Sequence, residues 1–161
     1  MNTAEYNKSV EMYADAIFRF IVKQLRDDFE SENIVQNSFE KLWIRRDEIS
    51  FDKAKAFLFK TAYNNMIDEI RKKSRTLLIE EEMDFSSDIS SEYKNIKEVL
   101  ELALSKLPPI QKSVVLLRDY EGYSYEEIAG ITGLNESQVK VYIFRARTAL
   151  KSFIGRPEAV V

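Results

Sequence analysis

Between Ser137 and Pro157 the chain carries Lys140, Arg145, Arg147, Lys151 and Arg156 and no acidic residue. Guanidinium and ammonium groups repeated along a helix suit phosphate oxygens and the edges of bases. A second basic stretch runs from Lys60 to Arg75, where Lys60, Arg71, Lys72, Lys73 and Arg75 outnumber the acids. Tyr63 and Asn64 lie within it, and polar and aromatic groups beside a basic track can hold an unstacked base. Other chemistries are poorly provided for. The sequence has no cysteine and no histidine, which excludes thiol redox chemistry, disulfides, most zinc sites and the commonest general base. Glu126 and Glu127 are adjacent and are better explained by the preference for acids at a helix N-terminus. There is no glycine-rich phosphate loop and no metal-ligand cluster. No catalytic residue, metal or cofactor is expected, and an enzyme is the least favoured class.

The net charge of -3 over 161 residues is unusual for a nucleic-acid binder until its distribution is considered. Glu80, Glu81, Glu82, Asp84, Asp88 and Glu92 form an acidic segment between the two basic stretches, so the chain reads basic, acidic, basic. Apolar and aromatic content is ample for packed cores. No apolar run approaches membrane-spanning length, and Met1 to Val10 lacks the features of a signal peptide. The expectation is a soluble, cytoplasmic protein without membrane insertion.

The elements that must position these groups are helices. Glycine and proline are scarce, apolar residues recur at three-to-four spacing, and no period-two pattern competes. The first helix is expected over Glu5–Arg26, with Val10, Tyr13, Ile17, Ile21 and Leu25 on one stripe. A second, Ser31–Arg45, buries Ile34, Val35, Phe39, Leu42 and Trp43, with Phe39 and Trp43 read as core. A third starts after Asp52 as N-cap, runs through Phe57, Leu58, Ala62, Met66 and Ile70, and ends in the basic run. These three make one bundle. The Ser-Ser pairs and carboxylates of Thr76 to Ser91 have too few spaced apolar residues for a core and read as a linker. Beyond it come a helix from Tyr93 to Lys106 and another from Pro109 to about Glu121, closed by Gly122. Two capping boxes, Ser124 with Glu127 and Asn135 with Gln138, open helices over Tyr125–Gly130 and Glu136–Ser152.

The last two helices have the layout of a helix-turn-helix. Ile128 and Ala129 face inward, Gly133 permits the tight turn, and Leu134 and Val139 hold the second helix at its angle. That second helix keeps Val139, Ile143 and Leu150 for packing and presents Lys140, Arg145, Arg147 and Lys151 to a partner. A helical hairpin without a DNA role is the plainer alternative.

The residues Leu107-Pro108-Pro109, Val114 to Arg118, Gly122 to Ala129, Val139-Lys140 and Phe144-Arg145-Ala146-Arg147 together resemble region 4 of extracytoplasmic-function sigma factors of the sigma-70 family, which reads the upstream (minus-35) promoter element. The resemblance implies that Ser137, Gln138, Lys140, Val141, Phe144, Arg145 and Arg147 face that element. Glu32 to Trp43 resembles the family's region 2 helix that docks on the clamp helices of the polymerase's largest subunit, implying contacts from Glu32, Asn33, Gln36, Asn37 and Glu40. Phe57 to Asn64 with Asp68, Arg71 and Lys72 is similar to the helix that opens and reads the downstream (minus-10) element. Lys60, Tyr63, Asn64, Arg71 and Lys72 are then its DNA contacts, with Asn64 binding a flipped base and the loop Asp47 to Lys55 completing the pocket. Tyr63 retains a second reading, as a packing residue.

The implied architecture is all-α: region 2 over residues 1–75, an acidic linker over 76–92, region 4 over 93–155 and a tail over 156–161. In this family the linker threads basic channels of the polymerase, so its carboxylates are expected to mimic nucleic acid there. The implied partners are bacterial core RNA polymerase (clamp helices and flap region), promoter DNA and an anti-sigma factor. Val141 and Tyr142 depart from the small polar residue and arginine of many relatives, which motivates weaker or altered upstream readout, compensated by an additional recruiting factor or by greater reliance on the opened downstream element. Two rival readings are a stand-alone helix-turn-helix regulator, which leaves the N-terminal bundle unexplained, and a protein-binding helical adaptor, which leaves the basic face unexplained.

Overall fold

The computed structural model describes residues 1–79 and 95–155, with side chains to Thr76 in the first stretch. The described residues are helical, without strands: α1 (Thr3–Leu25), α2 (Asp28–Ile44), α3 (Phe51–Ile79), α4 (Ile96–Ser105), α5 (Pro109–Val115) continued by a π-helical turn (Leu116–Tyr120), α6 (Tyr125–Thr132) and α7 (Glu136–Ile154). Local chemistry sets most of these boundaries. The Asn2 and Glu5 side chains and backbones bond reciprocally to open α1, and the same box is formed by Ser124 with Glu127 and by Asn135 with Gln138. Pro109 stands in the first turn of α5, where its missing N–H costs nothing.

Several boundaries differ from the sequence expectation. The second helix begins at Asp28, because the Asp27 carboxylate accepts the Glu30 N–H and caps it earlier than Ser31. Asp52 lies within the first turn of α3 and not at its cap. The helix also continues past the basic run to Ile79, so residues 76–79 of the expected linker are helical. The rest of the expected linker, residues 80–92, the first two residues of the helix expected from Tyr93, and the 156–161 tail lie outside the described residues. The expected helix ending near Glu121 is completed by the π-turn, where the Glu121 N–H bonds to the Leu116 carbonyl at 3.1 Å. Gly122 then reverses the chain with φ +74.

α1, α2 and α3 form a bundle around Ile17, Phe20, Ile21, Ile34, Phe39, Leu42, Leu58, Phe59, Ala62 and Met66. α4 to α7 enclose Val99, Leu104, Val114, Leu116, Leu117, Ile128, Val139 and Ile143. Nothing in the sequence pattern announced the next feature: the two halves pack on one another. α6 lies against α3 and α5 against α1. Phe59 meets Tyr123 edge-on at 5.0 Å, and buried residues of both halves belong to one hydrophobic cluster. Polar pairs ring it: Lys55 with Glu127 at 2.8 Å, Arg19 with Glu121 at 3.3 Å, and the Ser113 hydroxyl donating to Gln24 at 2.5 Å. The aromatic burial dominates this contact, since exposed ion pairs contribute little.

The turn between α6 and α7 gives a clean backbone prediction. Gly133 has φ +80, with no atom within 4 Å of where a Cβ would stand. Gly133→Ala is therefore expected to cost about 1–2 kcal/mol through the left-handed backbone alone. In urea denaturation Gly133→Asn should recover much of that loss. Equal losses for both would contradict the assignment.

Candidate nucleic-acid interface

α7 is anchored by burying Val139, Ile143 and Ala146 against α5 and α6, which fixes its opposite face toward solvent. Ser137, Gln138, Lys140, Val141, Phe144, Arg145 and Arg147 are all exposed, with Gln138 and Arg147 at opposite edges of the solvent side of α7. Their availability differs. The Gln138 side chain accepts the Asn135 N–H at 3.0 Å and is engaged in capping. Arg147 forms a two-pronged pair with Asp119, with Nε to the carboxylate at 3.0 Å, and that hydrogen bond holds it firmly charged. Lys140, Arg145 and Lys151 make no ion pair among the described residues. Tyr142 is half-buried against the core, while its neighbour Val141 stands in solvent.

The second basic region is organised around a recess of about 270 Å³ between the end of α2 and the first half of α3, lined by Lys41, Ile44, Arg45, Phe57, Thr61, Asn64 and Asn65. Asn64 is exposed at its edge, whereas the Nδ2 of Asn65 is buried without a hydrogen-bond partner. A buried amide left unpaired costs free energy. Cations, an aromatic ring, a hydroxyl and two amides make this recess suited to a base with its phosphate. Arg71 and Lys72 are exposed farther along α3, and Lys60 is exposed outside the recess.

Tyr63 is 6 % exposed, and burial pushes its hydroxyl pKa up, which favours its reading as a packing residue. The recess is walled on one side by the C-terminal turn of α2, and no residue of Asp47 to Lys55 lines it. Lys41, Arg45, Thr61 and Asn65 were not picked out from the sequence. The i, i+4, i+8 spacing of Phe57, Thr61 and Asn65 was the available signal on α3, but the α2 wall comes from about twenty residues away.

On α2, Glu32, Asn33, Gln36, Asn37 and Glu40 are all exposed. Asn33 and Asn37 border a shallow recess shared with Asp68 and Lys72 of α3. Phe39 is buried as expected, but Trp43 is 38 % exposed and is corrected from core to surface. Its ring rests on Tyr6 at 4.9 Å beneath the Arg46 guanidinium at 3.9 Å. With Phe29 and Ile44, also exposed, it gives the polar face of α2 apolar ends, a pattern suited to a helical partner.

Glu127 links the two halves electrostatically. The hydrogen bond from Lys55 holds its carboxyl below the ordinary carboxylate range, aided by the Ser124 N–H of the capping box. A depressed folded value means the contribution is complete above the unfolded carboxylate's pKa of about 4.3 and is lost as pH falls through the lower folded value. Acid titration below about pH 4 is thus expected to loosen α6 from α3, and Glu127→Gln should lack that step when interdomain distance is followed by fluorescence. An unchanged acid profile in the variant would refute this.

Residues 9–76 match the family model for sigma-70 region 2, and residues 97–150 match that for sigma-70 region 4. The chain is 28% identical over 151 residues to the ECF RNA polymerase sigma factor SigM of Bacillus subtilis (strain 168), covering 91% of this chain and 93% of that one. It is 29% identical over 149 residues to the RNA polymerase sigma-E factor of Streptomyces avermitilis, covering 91% and 83%. Among solved structures, the sigma factor RpoE co-crystallised with the anti-sigma factor NepR from Bartonella quintana shares the fold with a TM-score of 0.75 at 22% identity, covering 94% of this chain and 98% of that one. With both regions matched in order over most of its length, and full-length relatives of the same type, the chain belongs to the sigma-70 family as a factor of the extracytoplasmic-function type.

Proposed function

We infer that this chain is a dissociable initiation subunit that binds core RNA polymerase and directs it to promoter DNA. The observation that carries the reading is the presence, on one chain, of two nucleic-acid faces of different character. α7 presents a cationic helix face sized for a duplex major groove, and α3 with α2 forms a base-sized recess flanked by Lys41 and Arg45. A factor that both locates and opens a promoter needs one of each.

In this reading Ser137, Lys140, Val141, Phe144 and Arg145 meet the upstream element, with Gln138 and Arg147 positioning the helix through its cap and the Asp119 pair. Asn64 and Asn65 receive an unstacked base of the downstream element, while Lys60, Arg71 and Lys72 follow the backbone of the displaced strand. The exposed stripe of α2, Glu32, Asn33, Gln36, Asn37 and Glu40 with Trp43 beside it, docks on the polymerase clamp helices. The boundaries proposed are region 2 to about residue 79 and region 4 from about residue 95. The chain acts in the cytoplasm, and the nucleotide chemistry is the polymerase's. An anti-sigma partner fits a chain whose structural neighbour was crystallised with one.

The test is co-elution with bacterial core RNA polymerase, followed by abortive transcription on a pre-opened promoter bubble. Stable association and product that depends on this chain are expected. No association, with duplex binding retained, would replace this reading with the stand-alone helix-turn-helix regulator.

A further inference from the structure

On α7 the positions 137, 141, 144 and 148 fall on one exposed stripe, opposite the buried Val139, Ile143 and Ala146. Two of these four are hydrocarbon: Val141 is 45% exposed and Phe144 is 71% exposed. Isolated exposed apolar residues are ordinary. These two are adjacent on the face that also carries Lys140 and Arg145, which have no acidic partner among the described residues. A pair of apolar side chains between cations that meet, among the described residues, only aromatic rings is too small for a stable protein interface, which needs a contiguous patch of several hundred Å². The charge complements a polyanion instead.

In a duplex major groove every base presents donor or acceptor atoms, and thymine alone adds a hydrocarbon feature, its C5-methyl. Valine has no hydrogen-bonding side-chain atom, so position 141 cannot address a purine edge or a cytosine amine. We propose that Val141, seconded by Phe144, selects thymine in the upstream element by packing on its methyl group, so that this factor reads part of its promoter through hydrocarbon contact. The proposal rests on α7 being the duplex-reading helix. It differs from the expectation that Val141 weakens upstream readout, because it makes this residue a determinant of which base is read.

The test begins with selection of randomised duplexes by the complete chain bound to core polymerase. The enriched duplexes are then remade with deoxyuridine replacing each thymine in turn, which removes the methyl and leaves Watson–Crick pairing intact. At one or more upstream thymines this change is expected to weaken binding about three- to fivefold, the scale of one methyl removed from an apolar contact. The double variant Val141→Ser, Phe144→Ala, changed only at exposed positions, should bind thymine and uracil duplexes alike at that position. Indifference of the wild-type chain to uracil at every upstream thymine overturns the proposal, as does a penalty that persists undiminished in the double variant. Failure to enrich any upstream sequence would be a different result: it would overturn duplex reading by α7 altogether, and this inference with it.

Discussion

Replacing Phe59 by alanine is expected to cost about 3–5 kcal/mol, the range for removing a buried aromatic side chain. Phe59 is fully buried, 6.0 Å from the ring of Phe20 inside the first bundle and 5.0 Å from Tyr123 of the second half. Its loss removes packing from the first core and from the contact between halves together. Tyr123→Ala is the informative companion, because Tyr123 is 8 % exposed and lies in the turn leading into α6. It should loosen α6 from α3 while leaving α1 to α3 folded. Urea unfolding followed by near-ultraviolet circular dichroism separates the two. A Phe59→Ala loss below about 1 kcal/mol, far under the cavity range, would mean the ring does not occupy the junction.

The second large effect is expected at the recess. Asn64→Ala and Asn65→Ala should each weaken holoenzyme binding to a single-stranded downstream element by about five- to 150-fold, corresponding to about 1–3 kcal/mol for loss of amide contacts to a base edge. The elements used are those mapped from start sites of transcription by the wild-type holoenzyme. Co-elution with core polymerase should be unchanged, since the α2 stripe is not altered. The two variants differ in stability. Asn65 already carries a buried, unpartnered amide nitrogen, so its removal should leave the free chain as stable as before or more so, whereas a purely structural asparagine would destabilise on truncation. If both variants bind the single strand like wild type, the recess does not hold a base.

How far the sequence was readable depended on distance along the chain. The boxes at Ser124 and Asn135 are written within three residues, and both formed as expected. Gly133 could be read because one backbone angle requires it. Tyr63 was ambiguous because Phe59, Ala62, Tyr63 and Met66 follow the spacing of a core face, while Lys60 and Asn64 beside it follow that of a DNA face. Only the packing of α1 and α2 on α3 decided which side it joined. Trp43 obeyed helical spacing yet came out partly exposed: its neighbour Leu42 takes the core position, and the indole rests at the margin between Tyr6 and Arg46. The recess drew its walls from two helices, so no single window of sequence contained it. The contact between halves joins Lys55 to Glu127 and Arg19 to Glu121, pairs separated by 72 and 102 positions. Periodicity and motifs carry no information at that range.

That contact has a consequence for every ligand of the chain. α3, which carries the base-sized recess, and α6, the first helix of the duplex-reading unit, are held together by an aromatic centre and a charged rim. A ligand that engages α3 and α7 at sites farther apart than this packing allows binds only molecules in which the contact is broken. Its measured affinity is then its intrinsic affinity scaled by the fraction of such molecules. The strength of Phe59 on Tyr123 thus sets a threshold common to all such ligands. Salt, which screens the rim pairs, shifts that threshold in addition to weakening phosphate contacts directly.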